Sequence, residues 1–301
     1  MSGLPGRVDL GVRSTPVFKA FDLKPNLWIK DDGCSAPGYG GNKPRKLEYL
    51  LYEAPRRIVT MGAQGSHHAL ATAVHGSRLG HDVHVIAFPR PENEHVGAVF
   101  EATAALATVH MASDQDAACE LLSSLAQDAL AIPAGGSSPV GAQGFIRAGR
   151  ELVSQIRDGV LPQPRRVYAA MGTAGTVVGL AIALEEAGFS TEVIGVRVVP
   201  EDWLSLADVE ALSQEAAALA GLDPAMPVCV EDQLGEGYGM PTEAAESAVE
   251  AAARLDSCGC RLETTYTGKA LAAALADESD EPMLYWQTHN AHSISDIAEA
   301  V

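Results

Sequence analysis

Short apolar segments alternate along the chain with longer segments of helical periodicity. The strand candidates are nearly continuous in apolar residues and cover residues 27–30, 57–62, 82–88, 106–111, 130–134, 167–171, 192–199, 227–232 and 283–288. Helices are predicted at residues 43–54, 66–80, 97–106, 114–127 and 176–188. Strands without a polar face are typical of parallel sheets that are covered by helices on both sides. The alternation therefore predicts an α/β fold with parallel sheets and right-handed crossovers.

Segments rich in glycine and proline interrupt this pattern at residues 33–44, 88–93 and 133–141. We expect the chain to cross between two domains at the first and the third of them. A chain that leaves one domain and later returns to it makes that domain discontinuous. We therefore predict a larger domain of residues 1–53 and 139–301, and a smaller domain of residues 54–138.

Composition narrows the class of protein. Asp and Glu total 39 against 21 Lys and Arg, a net charge of −18, which argues against nucleic acid or an anionic membrane as a partner. The five cysteines are scattered and only Cys258 and Cys260 are close, so neither a disulfide framework nor a cysteine zinc site is expected. Residues 1–12 lack the pattern of a signal peptide, and no apolar run reaches the length of about 18 residues that a membrane helix needs. We expect a cytoplasmic protein.

The first candidate for chemistry is Lys43, which follows Gly40-Gly41-Asn42 and precedes Pro44. Pro44 suits the first position of a helix and disfavours helix at the residue before it. Lys43 is therefore held at the start of a helix, where a partly desolvated lysine can lose its proton and form a Schiff base. The alternative is an ordinary solvated lysine at a helix start.

Two further glycine turns each follow a strand and open a helix. Residues Gly172 to Thr176 offer backbone N–H groups and a helix N-terminus, which together suit an anion. Their spacing matches neither GxGxxG nor the P-loop, so a nucleotide is disfavoured. Residues Gly65 to His68 form a second turn of this kind, suited to a carboxylate. The alternatives are a tight turn in the first case and a helix N-cap at Ser66 in the second.

A zinc site at His67, His68 and His75 is a weaker interpretation. Consecutive histidines on a helix face different sides, and neither an HExxH motif nor a nearby carboxylate completes a ligand set. No metal is therefore expected.

Two tyrosines lie beside glycines and are candidates for proton transfer at a reacting carbon. Tyr266 precedes Thr267-Gly268 at a predicted helix start, and Tyr238 stands between Gly237 and Gly239. Taken alone, each tyrosine is better explained as structural.

These segments in this order resemble the pyridoxal-phosphate enzymes of the tryptophan-synthase-β fold group, and within them the D-cysteine desulfhydrase and 1-aminocyclopropane-1-carboxylate (ACC) deaminase family. The segments that carry the resemblance are residues 40–51, 132–156, 171–180, 237–242 and 265–270. The resemblance implies two α/β domains with pyridoxal 5'-phosphate between them, a small amino acid as substrate, and a homodimer.

The resemblance also implies roles for individual residues. Lys43 would form the Schiff base with the cofactor, and Lys46 would add charge near the cofactor's phosphate. Ser66 would lie close to the reacting atoms, within a loop that takes the substrate carboxylate. Tyr266 would lie near the cofactor ring and Tyr238 on its other side. The remaining implied residues are Gly172, Thr173, Ala174, Gly175 and Thr176 around the phosphate, and Gly65, His67 and His68 around the carboxylate.

Departures from the family pattern bear on the substrate. His67 stands where the family usually has Asn, beside the ring hydroxyl of the cofactor. Thr267 occupies the place facing the pyridine nitrogen, where ACC deaminases carry Glu. Thr288 matches the desulfhydrases, whereas ACC deaminases carry Leu there. His289-Asn290 replaces a Gly-Gly pair of the family, which is expected to narrow or repolarise the pocket.

The sequence therefore predicts a lyase that removes a β-substituent such as sulfide from a small amino acid and releases pyruvate and ammonia. Lys43 would act as the base at the α-carbon, with Ser66 or Tyr266 assisting the leaving group. The alternatives are ACC deamination, elimination from another β-substituted amino acid such as one bearing a sulfonate, and a non-catalytic relative that binds the cofactor. A nucleotide-dependent oxidoreductase is disfavoured by the missing GxGxxG motif.

Overall fold

The computed structural model describes residues 5–91, 94–230, 233–255 and 261–299, and within them ten strands form two sheets. The strands are β1 (Val17–Lys19), β2 (Leu27–Asp31), β3 (Arg57–Ala63), β4 (Asp82–Phe88), β5 (Thr108–Met111), β6 (Leu130–Ile132), β7 (Arg166–Met171), β8 (Glu192–Arg197), β9 (Val228–Val230) and β10 (Met283–Gln287). Cys258, Cys260 and the last two positions of the strand candidate 227–232 lie outside the described residues.

The larger sheet has the strand order β1-β2-β10-β7-β8-β9. All its pairs are parallel except β1 with β2, which is antiparallel at the edge of the sheet. Every residue of β10 is buried, because this strand lies between β2 and β7 and is covered on both faces. The last strand of the sheet in sequence is thus at its centre, next to the strand that precedes Lys43.

The smaller sheet has the order β5-β4-β3-β6 and is entirely parallel. Its strands lie within residues 57–132. The predicted α/β class with parallel sheets is confirmed. The domain boundaries that the sequence suggests, at residues 54 and 139, stay a prediction.

Ten α-helices in the described part of the chain cover the sheets. They are α1 (Lys43–Leu50), α2 (His67–Arg78), α3 (Glu94–Leu106), α4 (Gln115–Leu125), α5 (Pro139–Arg157), α6 (Gly175–Glu186), α7 (Leu206–Ala220), α8 (Glu243–Ala252), α9 (Thr267–Ala276) and α10 (Ile294–Glu299). Two apolar cores lie on the two faces of the larger sheet, one with α5 and α6 and the other with α8 and α9. Within these residues, none of the helices is both long and apolar enough to cross a membrane.

Several elements differ from the sequence-based predictions. The helix predicted at 43–54 ends at Leu50, and the strand predicted at 106–111 begins only at Thr108. The sequence analysis did not assign β1 or four helices, which are α5, α7, α8 and α10, and of α9 it predicted only the start, after Tyr266. In α5 the reason is visible: Gly144 lies so close to α1 that a Cβ atom there would be 2.0 Å from the carbonyl oxygen of Arg45. A residue with poor helix propensity is thus required by packing.

A buried cluster of charges joins α1 to the larger sheet and to α5. Arg45 donates to both carboxylate oxygens of Asp32, at 2.9 and 2.8 Å, and to Glu151 at 2.9 Å. Lys30 donates to the same Glu151 at 2.6 Å, and the indole of Trp286 donates to Asp32 at 2.9 Å. Burial would raise the pKa of Glu151, but Arg45 and Lys30 lower it to about 2. Each charged side chain of this cluster therefore has a partner of opposite sign.

We expect Arg45→Ala to lower the free energy of unfolding by about 3–5 kcal/mol, because it leaves Asp32 and Glu151 as buried charges without their main partner. Urea denaturation would measure the loss. Arg57→Ala is the matched control, since Arg57 and Asp82 form a pair at 3.4 Å whose side chains are 48% and 42% exposed. The control should lose no more than about 1 kcal/mol. Equal losses in the two variants would contradict this account of the cluster.

Candidate active site

A cavity of about 200 Å³ lies where loops at the carboxyl ends of strands from both sheets meet. Of the site residues predicted from the sequence, thirteen line it: Lys43, Lys46, Ser66, His67, His68, Gly172, Thr173, Ala174, Thr176, Tyr238, Tyr266, Thr267 and Thr288. Gly65 and Gly175 are not among the lining residues, although each adjoins one. Gly65 forms the turn before Ser66, and the backbone N–H of Gly175 donates to Ser137 Oγ at 3.1 Å. The structure thus brings the predicted residues together, while their roles stay predictions.

Lys43 is the first residue of α1, and its amine points to polar groups at the cavity. Its Nζ donates to Asn42 Oδ1 at 2.7 Å, and Asn42 Nδ2 donates to Thr176 Oγ1 at 3.1 Å. Burial lowers the pKa of Lys43 to about 8, although the charge of Glu263 acts in the opposite direction. A sizeable fraction of the amine is therefore neutral near pH 7–8, which is the form that attacks a carbonyl.

The segment before Lys43 is braced against the residues that follow β10. Gly41 has φ +77°, and a Cβ atom there would lie 2.7 Å from the carbonyl oxygen of Thr288. The N–H of Asn42 donates to that oxygen at 3.0 Å, and the N–H of Gly40 donates to Asn290 Oδ1 at 2.8 Å. Asn290 lines the cavity, but its side chain serves mainly to hold backbone. Of the His289-Asn290 pair, His289 is therefore the residue that changes the polarity of the cavity.

The turn between β7 and α6 forms a cradle of donors. Ala174, the N-cap residue of α6, has the left-handed conformation (φ 59°, ψ −22°), which turns the loop into the cavity. Ser137 Oγ lies 2.8 Å from Thr173 Oγ1 and accepts from Lys46 Nζ at 3.1 Å. Burial, and then the charge of Lys43, lower the pKa of Lys46 well below its usual value. A bound anion would offset that penalty, so these donors fit a phosphate group.

The turn between β3 and α2 positions Ser66 at the cavity. Ser66 is the N-cap of α2, and its Oγ accepts from the N–H of Ala69 at 3.3 Å. The N-cap that the sequence offered as the alternative is thus present in the structure. The same hydroxyl belongs to a residue that lines the cavity, so a cap and a contact with a ligand are compatible.

His67 and His68 face different sides of α2, as expected for consecutive residues. Thr60 Oγ1 donates its only proton to the carbonyl oxygen of Ile132 at 2.9 Å. In the 2.8 Å hydrogen bond between His68 Nε2 and Thr60 Oγ1, the histidine is therefore the donor. His75 Nε2 lies 3.0 Å from the backbone oxygen of Tyr39. The contacts of His67, His68 and His75 diverge, so their arrangement does not support the weaker zinc interpretation of the sequence.

His67 instead meets two histidines that are distant in sequence. Its Nδ1 lies 2.5 Å from the hydroxyl of Tyr39, and its Nε2 lies 2.9 Å from His95 Nε2. The ring of His289 packs edge-on against it, with the ring centroids 4.5 Å apart. Burial, and then the neighbouring His289 and His95, lower the pKa of His67 well below its usual value. No local pattern marks His95 in the sequence, because only the packing of α3 against α2 brings it here.

The two predicted tyrosines are hydrogen-bonded to each other. Their hydroxyl oxygens are 2.7 Å apart, and the rings are nearly perpendicular with centroids 6.0 Å apart. Burial is the main reason why the pKa of each phenol is raised. Both phenols therefore keep their protons at neutral pH, and either can pass one to a group in the cavity.

Glu263 is a residue of the site that the sequence analysis missed. Its carboxylate accepts the backbone N–H groups at the start of α9, from Thr265 at 2.7 Å, Tyr266 at 3.0 Å and Thr267 at 2.8 Å. Burial alone would raise the pKa of Glu263, but His289 and these N–H groups lower it. An acidic residue just before a predicted helix was the available signal.

The hydroxyl of Thr267 is also committed to Glu263. Thr267 Oγ1 donates to Glu263 Oε1 at 3.0 Å and accepts from the N–H of Glu263 at 2.9 Å. Because a hydroxyl has a single proton, Thr267 in this arrangement offers a ligand an acceptor rather than a donor. The nearby carboxylate thus takes the proton that the Thr267 hydroxyl would need in order to donate to a pyridine nitrogen.

Comparison with known proteins agrees with this geometry. Residues 8–282 match the family described as pyridoxal-phosphate dependent enzyme. A D-cysteine desulfhydrase of Klebsiella pneumoniae is 31% identical over an alignment of 297 positions, which covers 89% of this chain and 88% of the relative. A D-cysteine desulfhydrase of Serratia proteamaculans is 29% identical and covers 96% of this chain and 94% of its own.

A solved structure described as an ACC deaminase homologue is similar over 98% of this chain and 96% of its own, with a TM-score of 0.83 and 25% identity. A hydrogen sulfide-producing enzyme of Fusobacterium nucleatum covers 94% of this chain and 95% of its own, with a TM-score of 0.66. Its 14% identity supports the fold alone.

We expect the rate at which pyridoxal phosphate attaches to the cofactor-free protein to rise with pH around a midpoint near 8, because only the neutral Lys43 amine attacks. Stopped-flow absorbance at a series of pH values would measure this rate. A small free amine, followed in parallel, corrects for titration of the cofactor itself. Glu263→Gln should move the midpoint lower, because Glu263 raises this pKa. A midpoint near the ordinary value of 10.5 would contradict the prediction.

Proposed function

This chain belongs to the pyridoxal-phosphate-dependent enzyme family, and we propose that it is a lyase that converts D-cysteine and water to pyruvate, ammonia and hydrogen sulfide. The observation that carries the proposal is the position of Lys43. Its amine, with a pKa lowered to about 8, lies in one cavity with the donor cradle around Lys46 and the turn at Ser66. The D-cysteine desulfhydrase relatives support the choice of substrate.

Each part of the cofactor and substrate has a matching group in the cavity. Lys46 and the turn from Gly172 to Thr176 would hold the phosphate, and Lys43 would anchor the cofactor covalently. Bound pyridoxal phosphate supplies an electron sink for negative charge at the α-carbon of an amino acid. The turn from Gly65 to His68 would hold the substrate carboxylate, which fixes the bond that is to break.

Proton transfer is assigned to three side chains. Lys43, when its amine is not bonded to the cofactor, would take the proton from the α-carbon, and a pKa near 8 suits a base that works at neutral pH. Tyr266 or Ser66 would give a proton to the departing sulfide. Because the pKa of Tyr266 is raised, its phenol holds a proton to give, and Tyr238 at 2.7 Å can replace it.

Thr267 favours elimination over chemistry that needs a stronger electron sink. The hydroxyl of Thr267 donates its proton to Glu263, so Thr267 itself presents neither a positive charge nor a carboxylate to a ligand. Elimination places less demand on the sink, because the leaving group carries charge away. ACC deamination is the second candidate, supported by the overall similarity to the ACC deaminase homologue.

The first test combines chemical trapping with a substrate panel. Borohydride reduction of the holoenzyme followed by peptide mass mapping should place a pyridoxyl group on Lys43. Lys43→Ala should give neither the adduct nor turnover, because the substitution removes the amine that would anchor the cofactor. Lys19→Ala is the control, since Lys19 lies on the edge strand β1, and it should keep both. Full turnover in Lys43→Ala would overturn the assignment.

The panel contains D-cysteine, L-cysteine, the sulfonate analogue of cysteine, and ACC, each scored for keto acid. We expect D-cysteine to give pyruvate and sulfide in equal amounts. 2-Oxobutyrate from ACC would favour the second candidate, and no keto acid from any compound would indicate a relative that only binds the cofactor. The proposed working form is a homodimer, and a native mass equal to one chain would contradict that part.

Ser66→Ala separates the two roles of this residue. Loss of the N-cap alone should cost about 1 kcal/mol of stability, whereas loss of a proton donor should lower kcat by about 100-fold or more. Ser205→Ala removes the N-cap of α7, which does not line the cavity, and is the matched control. Urea denaturation and steady-state kinetics on both variants would decide. Similar kcat values in the two variants would mean that Ser66 acts only as the N-cap of α2.

A further inference from the structure

Three histidines from separate parts of the chain converge beside the cavity: His67 at the start of α2, His95 on α3, and His289 in the loop after β10. One ring nitrogen from each lies within 4.8 Å of the others. We refer to these residues as the histidine cluster. His67 and His289 line the cavity, and His95 is exposed at its edge. None of the roles proposed above requires three imidazoles in contact.

The ring nitrogens of the cluster lie close to the spacing that metal ligands need. His67 Nε2 and His95 Nε2 face each other at 2.9 Å, and the two rings stack with centroids 5.0 Å apart. In a tetrahedral zinc site with Zn–N distances of about 2.0–2.1 Å, ligand nitrogens are about 3.4 Å apart. Small shifts of the exposed His95 would reach that spacing from the positions seen here.

Tyr39 provides the outer contact that a ligating histidine commonly makes. Its hydroxyl lies 2.5 Å from His67 Nδ1, the nitrogen that does not face His95. A phenol oxygen accepts as well as donates, so it can receive the Nδ1 proton while Nε2 binds a cation. The buried ring of Tyr39 thereby fixes the direction in which His67 presents Nε2.

We propose that the histidine cluster binds one Zn²⁺ ion, which joins α2 and α3, beside the smaller sheet, to the loop that follows β10 of the larger sheet. Three imidazole nitrogens suit zinc and neighbouring transition metals and do not suit Mg²⁺ or Ca²⁺, which prefer oxygen. The ion has a route from solvent, because His95 and His289 also line a neighbouring cavity of about 490 Å³.

The test is a calorimetric titration of the chelator-treated holoenzyme with Zn²⁺, carried out without substrate. We expect one ion per chain and a rise in Tm, because the ion binds only the folded protein. His95→Ala should weaken binding by at least about 100-fold, since even the loss of an outer partner commonly costs about 10–100-fold. Mg²⁺ in place of Zn²⁺ should give no binding.

His110→Ala is the matched control. His84 Nδ1 and His110 Nε2 form the other stacked histidine pair among the described residues, 2.9 Å apart, and no third histidine joins it. This variant should keep the affinity of the unaltered protein. Binding that is equal in His95→Ala and the unaltered protein, or that is lost equally in His110→Ala, would overturn the proposal. Because the titration measures metal binding rather than turnover, its outcome does not depend on whether the enzyme acts on D-cysteine.

Discussion

The guanidinium of Arg45 fixes the helix on which the cavity depends. Lys43 and Lys46 are three residues apart and share the face of α1 that meets the cavity, whereas Arg45 points to the other side. There it is held by Asp32, the residue after β2, and by Glu151 of α5. A shift of α1 would therefore separate ion pairs that are shielded from water, and the positions of both lysines follow from this constraint.

The same cluster links the lysines to the centre of the larger sheet. Trp286 of β10 donates to Asp32, and the residues after β10 hold the backbone of Gly40 to Asn42. The strand that is last in sequence thus supports the segment around Lys43 from two directions. The cavity is therefore built from residues near both ends of the chain, and Thr288 and His289 line it together with Lys43.

Local chemistry explains which features could be predicted from the sequence. Lys43 before a proline, the glycine turn at 172–176 and the turn at Ser66 are each encoded within a few residues. Asn42 also contacts Thr176, and His95 contacts His67; these partners are distant in sequence, and only the packed fold brings them together. The helix α5 escaped prediction for a related reason, since Gly144 weakens the helical pattern but permits the close contact with Arg45. Where packing decides the residue, propensity is a poor guide.

The electrostatics of the cavity connect these points to function. The chain carries a net charge of −18, yet the cavity contains the buried amines of Lys43 and Lys46. Burial lowers the pKa of each, which disfavours the charged form of both amines. A phosphate in the cradle would stabilise the charged form of Lys46 and raise its pKa again. His67 and His289, whose pKa values burial also lowers, stay neutral beside it. An anion in the cavity thus strengthens the positive charge of the lysines that bind it.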